Sequence, residues 1–106
     1  MNIPHITAKE LKTKLQRGDQ FILLDVRQES ERKKAHIPNS KFITLSALPE
    51  CCDQLDSSLE IVVYCHLGGR SAQATNFLIQ KGYKAVNLEG GITAWTQSGE
   101  SAPPGN

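Results

Sequence analysis

The residues with the clearest chemical potential lie between positions 61 and 71, in the stretch IVVYCHLGGRS. An apolar, β-branched run ends at Cys65, two glycines and Arg70 follow, and a helical pattern then begins. This order predicts a strand, a short loop and a helix. It places a thiol at the carboxyl end of the strand, which is where open α/β sheets bind their ligands.

The predicted loop would surround Cys65 with groups that favour an anion. Backbone N–H groups, the positive end of the helix dipole and Arg70 all act in this direction. We therefore expect the pKa of Cys65 to be lowered, which makes the thiolate available as a nucleophile. The alternative interpretation is a structural cysteine buried at the end of a strand, since free cysteine is a common core residue.

The elements that must position this loop alternate along the chain. Apolar runs predict strands at residues 21–26 and 59–64, a further strand is expected at 83–88, and shorter strands are expected at 3–6 and 41–45. Thr7 and Glu10 have the spacing of a capping box that begins a helix, and residues 71–81 carry an apolar stripe at helical spacing. This alternation predicts an α/β fold with a parallel sheet and helices on both faces.

Length and composition exclude several classes of protein. A chain of 106 residues predicts one domain, which we place at 1–97, and the Ser-, Gly- and Pro-rich residues 98–106 are expected to form a flexible tail. The net charge of +1 favours neither nucleic acid nor a membrane as partner. Three cysteines cannot all pair, and no leader pattern begins the chain, so we expect a reducing, cytoplasmic location and no cleaved leader.

Three separate motifs resemble those of rhodanese-like sulfurtransferases. Asp25-Val26-Arg27, Glu31 and His36-Ile37-Pro38 resemble the first signature of the family, residues 65–71 resemble its active-site loop, and residues 90–95 (GGITAW) are similar to its closing signature. The order and spacing agree from about Phe21 to Trp95. The chain departs from the family where it has Ala35 and Asn39, usually glycines, and Arg32, often an aromatic residue.

The resemblance implies a five-stranded parallel sheet flanked by helices, and an activity in sulfane-sulfur transfer. Cys65 would take sulfur from thiosulfate, a polysulfide or a persulfide, hold it as a persulfide, and pass it to a thiol or to cyanide. The chemistry expected of Cys65 agrees with this activity, because an activated cysteine divides one transfer into two easier steps. No metal ion or organic cofactor is expected, and a sulfur-donor or sulfur-acceptor protein is a further expected partner.

Each loop residue has an expected role in this chemistry. Backbone N–H groups of five residues would surround the persulfide, Arg70 would bind an anionic donor, and the Ser71 hydroxyl would donate to the sulfur. Asp25 and Arg27 are expected to support the site through buried ion-pair contacts rather than as acid and base. The five N–H groups are those of His66, Leu67, Gly68, Gly69 and Arg70.

The length of the loop distinguishes this chemistry from phosphate chemistry. Cysteine phosphatases and arsenate reductases of related shape use C-x-x-x-x-x-R, whose larger loop directs an arginine at a tetrahedral oxyanion. Here four residues separate Cys65 from Arg70, and Ser71 stands where that arginine would be. The smaller loop suits a single added sulfur atom.

The other charged and thiol groups have weaker claims to a role. Arg32, Lys33 and Lys34 are expected to form a solvated helix face, with an anion-attracting patch as the alternative. Helical spacing predicts that Cys52 faces the core and Cys51 faces away. The two adjacent cysteines lack metal-site spacing, so we expect ordinary packing rather than a metal site or a resolving pair.

Three functions from different classes therefore stay open. The first is an enzyme that transfers sulfur from thiosulfate or a persulfide. The second is a sulfur-relay protein that receives sulfur from a cysteine desulfurase for thiamine, molybdopterin or tRNA thiolation, since the loop residues 65–71 resemble those of rhodanese domains fused to activating enzymes. The third is a non-catalytic interaction module, against which the presence of Cys65 argues.

Overall fold

Strands and helices alternate throughout the chain in the computed structural model, which describes residues 2–105. A short 3-10 turn, Cys52–Gln54, follows the third helix. The strands are β1 (His5–Ile6), β2 (Phe21–Asp25), β3 (Lys41–Phe42), β4 (Glu60–Tyr64) and β5 (Lys84–Leu88). The helices are α1 (Ala8–Gln16), α2 (Glu29–Lys34), α3 (Leu48–Cys51), α4 (Gly69–Gln80) and α5 (Gly91–Gln97).

The five strands form one parallel sheet in the order β1-β5-β4-β2-β3. Strand β4 is central, and its residues from Ile61 to Tyr64 are fully buried because both faces of the sheet are covered. In the register, Asp25 lies opposite Tyr64 and Val63 lies opposite Asn87. The carboxyl ends of β2, β4 and β5 therefore meet at one edge of the sheet, directly beside Cys65.

Two apolar clusters cover the two faces of the sheet. Because side chains alternate along a strand, Val63 points into one cluster and Val62 into the other. The first cluster includes Leu48 of α3 and Leu78 of α4, and the second includes residues of α1 and α5, among them Trp95. The predicted fold, a five-stranded parallel sheet with helices on both faces, is confirmed.

The region around α3 differs from the sequence-based prediction. Strand β3 has two residues rather than the five expected. Cys51 and Cys52 are both partly exposed, and both pack against the first cluster. The prediction that only Cys52 faces the core was wrong because the α-helix ends after one turn and a 3-10 turn follows, so helical spacing does not continue through Cys52.

The C-terminal segment lies against the domain, in contrast to the flexible tail that the composition predicts. The indole N–H of Trp95 donates a hydrogen bond to the carbonyl of Ser101 at 3.0 Å. The carbonyl of Pro103 accepts from the backbone N–H of His36 at 2.9 Å, and Glu100 forms an ion pair with Lys12 at 2.8 Å. These contacts connect the segment to α1, α5 and the residues after α2.

Candidate active site

The thiol of Cys65 lies directly beneath the first turn of α4. Cys65 follows the last residue of β4, and the chain turns through three residues before the helix begins at Gly69. Gly68 precedes the helix with a φ of +114°, a backbone conformation that residues with a side chain rarely adopt. This conformation turns the chain into α4, while the N–H of Gly68 points at the sulfur with an N···Sγ distance of 3.0 Å.

The hydrogen bonds around the sulfur stabilise its charged form. Burial raises the pKa of the thiol, but the Ser71 hydroxyl and the backbone N–H groups of Ser71, Gly68 and Leu67 outweigh that effect. The pKa of Cys65 therefore lies below its usual value. The Ser71 oxygen is 3.3 Å from the sulfur, and both residues are buried. The geometry therefore favours the thiolate form of Cys65.

Arg70 forms an ion pair with Glu31 that connects α4 to α2. Its two terminal nitrogens bind the two carboxylate oxygens at 2.7 and 2.8 Å, a bidentate arrangement. The same carboxylate accepts the N–H of Gln28 at 3.1 Å, so it also stabilises the beginning of α2. From the sequence, Arg70 is expected to bind an anionic donor. In the structure its guanidinium is paired with the carboxylate of Glu31.

We expect this ion pair to persist in mild acid. Arg70, and secondarily the N–H of Gln28, hold the pKa of Glu31 at about 2, below its ordinary value of 4.5. Because the folded-state pKa is the lower one, the stabilisation is fully present above about pH 4.5 and is lost as the pH falls through about 2.

This effect is measured by unfolding the wild type and Glu31→Gln with denaturant at several pH values, with the fluorescence of Trp95 as the signal. The difference in unfolding free energy should be constant between about pH 5 and 8 and should decrease only at lower pH. A difference that already decreases above pH 5 would contradict the pairing of Glu31 with Arg70.

A buried charge network lies beside the site at the end of β2. Asp25 is fully buried and accepts hydrogen bonds from Arg27 at 2.9 Å and from the hydroxyl of Tyr64 at 3.1 Å. Burial and the nearby Asp25 carboxylate raise the pKa of Tyr64, so its hydroxyl stays a donor. The predicted contact of Asp25 with Arg27 is present.

Arg32 belongs to the same network, which contradicts the prediction that it lies on a solvated face. Its guanidinium is 3.2 Å from Asp25, donates to the carbonyl of Ser40 at 2.7 Å, and lies over the ring of Phe42. Arg32 is 8% exposed, so it cannot form an anion-attracting patch with its exposed neighbours Lys33 and Lys34. Arg32 is buried because the chain at Ser40 lies close to α2, where the side chain and the carbonyl of Ser40 both accept hydrogen bonds from the guanidinium.

The beginning of α5 supports the loop from the other side. The N–H of Ile92 donates to the carbonyl of Cys65 at 2.9 Å, and the N–H of Thr93 donates to the carbonyl of His66 at 3.3 Å. Gly91, with a φ of +59°, lies so close to these carbonyls that a Cβ atom would overlap both oxygens. Gly91, in the motif at residues 90–95, therefore allows α5 to begin in close contact with the carbonyls of Cys65 and His66.

Replacement of Gly91 by alanine is expected to destabilise the protein by at least about 2 kcal/mol, because overlap and positive φ both act against the methyl group. Thermal unfolding measures the loss. Gly69→Ala is the matched control, since a Cβ at Gly69 has no atom within 4 Å and its φ is not positive. Equal melting temperatures for the two variants would contradict the close contact.

Access to the sulfur is restricted in this structure. Cys65 is only 1% exposed, whereas Leu67 is 66% exposed and His66 is also exposed. A cleft of about 260 Å³ lies between α2 and α5, with His66, Lys34 and Thr93 among the residues that line it. His66, the residue that follows Cys65, is the part of the loop that lines this cleft.

The structure brings most of the predicted site residues together and adds others. Of the five predicted N–H donors, that of Gly68 contacts the sulfur directly and that of Leu67 acts on its pKa. Asn87, Tyr64 and Gly91 belong to the site but were not predicted as site residues. Asn87 alternates with buried apolar residues near the end of β5, and a buried amide at a strand's carboxyl end is a signal that the sequence does contain.

Residues 2–105 contain no cluster of three or more metal-ligating side chains. Within the same residues, no helix has the length and apolar character needed to cross a membrane. The site described above consists of a thiol, backbone N–H groups, hydroxyls and an ion pair.

The fold and the site together define a class of small parallel α/β domains, in which the loop after a central strand surrounds a cysteine with N–H donors. The chain belongs to the rhodanese-like domain family, whose family model matches residues 7–98. The resemblance found in the three motifs is thus confirmed.

Several relatives match along nearly the whole chain. YtwF of Bacillus subtilis is 36% identical over 103 residues, which are 97% of this chain and 98% of that protein. A protein named sulfurtransferase from Allochromatium vinosum is 31% identical and covers 92% of each chain. A thiosulfate sulfurtransferase of Coxiella burnetii is 30% identical, over 88% of this chain and 84% of its own.

The solved structures include a similar fold at comparable identity. The crystal structure of a rhodanese-related protein from Thermoplasma volcanium superposes with a TM-score of 0.87 at 34% identity and covers 93% of this chain and 96% of its own. The fold and the family agree with each other, and relatives of this chain are named as sulfurtransferases.

Proposed function

We propose that this protein is a sulfurtransferase that moves a sulfane sulfur atom from a donor to an acceptor through a persulfide of Cys65. The observation that carries the proposal is the sulfur at the carboxyl end of β4, which accepts the N–H of Gly68 at 3.0 Å and faces the Ser71 hydroxyl at 3.3 Å. These donors stabilise an anion on sulfur, which is needed both before and after the donor reacts.

With thiosulfate as donor, the atoms and electrons balance in two steps. The Cys65 thiolate attacks the outer sulfur of thiosulfate, a sulfur–sulfur bond forms, and sulfite leaves with the electron pair of the broken bond. Cyanide or a thiolate then attacks the outer sulfur of the persulfide, and the Cys65 thiolate leaves. Each step is a nucleophilic displacement that needs no external oxidant or reductant.

The intact mass of the protein after incubation with thiosulfate, or with an organic persulfide, tests this proposal. We expect the addition of one sulfur atom, removal of that atom by cyanide, and no addition in Cys65→Ser. The Cys51→Ser/Cys52→Ser double variant is the control, because it keeps only the proposed nucleophile. A protein that gains sulfur elsewhere, or gains none from any of these donors, would overturn the proposal.

A relay function is the second candidate, and two observations favour it. Arg70, the cation expected to bind a small anionic donor, is paired with Glu31. Leu67, two residues from the nucleophile, presents a largely exposed apolar side chain that suits contact with a protein carrier. Rapid loading by a cysteine desulfurase, together with slow loading by thiosulfate, would favour a relay, whereas the opposite ratio would favour the small-molecule enzyme.

In either role we propose a cytoplasmic location for the protein.

A further inference from the structure

Asn87 connects the groups that hold the Cys65 sulfur. It lies near the end of β5, the strand next to β4, and is 3% exposed. Its Oδ1 is 2.5 Å from the hydroxyl oxygen of Ser71, which donates to it. Its Nδ2 donates to the carbonyl of Gly68 at 3.3 Å and lies 3.4 Å from Nδ1 of His5.

Each end of this amide therefore holds one residue that contacts the sulfur. Ser71 faces the sulfur through its hydroxyl, and Gly68 does so through its N–H. The contact to Gly68 also determines how the amide is oriented, because a rotated amide would place two acceptor oxygens against each other. Asn87 itself has no contact with the sulfur among its hydrogen bonds in residues 2–105.

The single proton of the Ser71 hydroxyl has two acceptors in reach, Oδ1 of Asn87 and the Cys65 sulfur. When the sulfur is a thiolate, the proton turns to the charged atom, because hydrogen bonds to ions are the stronger ones. When the sulfur is neutral, the proton returns to Oδ1. Oδ1 of Asn87 thereby holds the Ser71 side chain in the rotamer that faces the sulfur before the thiol ionises, and Nδ2 of Asn87 holds the Gly68 peptide in both states.

We propose that Asn87 is a positioning residue for the nucleophile, whose amide holds the Ser71 hydroxyl and the Gly68 peptide against the Cys65 sulfur. Without the amide, the Ser71 hydroxyl is free to turn to the carbonyl of Gly68 or Leu67, three and four residues earlier in the chain, as serine in helices commonly does. The thiolate then loses a donor. The inference rests on the proposed function only in taking this sulfur as the reacting atom.

The pH dependence of alkylation by iodoacetamide tests the inference, in a Cys51→Ser/Cys52→Ser background where Cys65 is the only thiol. In Asn87→Ala the midpoint of the profile is expected to move to higher pH, and the rate at neutral pH to fall about tenfold. The same fall is expected in kcat/KM for sulfur transfer. In a Ser71→Ala background, Asn87→Ala should shift the midpoint less, because Asn87 then acts on the sulfur only through Gly68.

Two further variants separate positioning from general disturbance. Thr75→Val removes a buried hydrogen bond of 2.7 Å to the carbonyl of Ser71 without changing a group that faces the sulfur. It should lower the melting temperature and leave the alkylation midpoint unchanged. Asn87→Asp keeps the size of the side chain but brings a negative charge close to the thiolate, so its midpoint should rise further than that of Asn87→Ala.

The outcomes distinguish this inference from the proposed function. An unchanged or lower midpoint in Asn87→Ala would overturn the positioning role, even if the midpoint of Asn87→Asp rises and the wild type transfers sulfur. A raised midpoint in a protein that accepts no sulfur from any donor would support the positioning role and refute the proposed function. Should Asn87→Ala not fold, the midpoint of Asn87→Leu decides, because leucine removes both hydrogen bonds, nearly preserves the packing volume and brings no charge.

Discussion

We expect sulfur transfer to fall by at least about 1000-fold when Cys65 is replaced by serine, which is the size of loss that removal of a catalytic nucleophile causes. A serine hydroxyl at this position stays protonated at neutral pH, and it has no sulfur with which to form a persulfide. The N–H of Gly68 and the Ser71 hydroxyl would still be present, but they would face an oxygen that is neither charged nor able to accept the transferred atom.

The measurement is the rate of thiocyanate formation from thiosulfate and cyanide. Cys51→Ser and Cys52→Ser are matched controls, because both remove a thiol from the same chain while the hydrogen bonds at Cys65 involve neither residue. Both should keep most of the activity of the wild type. Full activity in Cys65→Ser, or its loss in either control, would contradict the assignment of the nucleophile.

The largest effect on stability is expected at Asp25. Replacement by asparagine keeps the shape of the side chain but removes the carboxylate that is shared by Arg27 and Arg32. Both guanidinium groups are at least nine-tenths buried, and a buried cation without its partner costs about 3–5 kcal/mol. For a domain of about this size, that loss lowers the melting temperature by more than about 10 °C.

Asp19→Asn is the control for this replacement, because Asp19 also pairs with two cations, Arg17 and Lys14, but does so near the surface. We expect little change in its melting temperature, since exposed ion pairs are screened by water. Thermal unfolding by circular dichroism measures both variants. Equal melting temperatures for Asp25→Asn and Asp19→Asn would show that the buried network does not stabilise the fold.

Local patterns predicted the elements of the fold well. Nearly continuous apolar runs marked β2 and β4, since strands covered on both faces have no polar side. Thr7 and Glu10 form the predicted capping box at the beginning of α1. Asn39 takes a φ of +65°, a conformation that asparagine tolerates better than most residues with a side chain, which explains how it replaces the usual glycine of the family.

Local patterns failed where a residue's environment depended on distant parts of the chain. The charged run before residue 35 predicts a solvated helix face, and only the position of α2 above β2 shows that Arg32 reaches Asp25. The composition of residues 98–106 predicts a flexible tail because it contains few large apolar side chains. That composition contains no information on the contacts of Ser101 and Pro103 with the folded domain.

The sequence by itself determined the α/β class, the strand that ends at Cys65 and the loop that follows it, because each depends on residues close together in the chain. Only the tertiary structure decided which side chains surround the sulfur. Arg70 meets Glu31, 39 residues away, and Ser71 meets Asn87, 16 residues away. These pairs follow from the order and register of the strands, which place the ends of β2, β4 and β5 side by side, and no local pattern specifies that order.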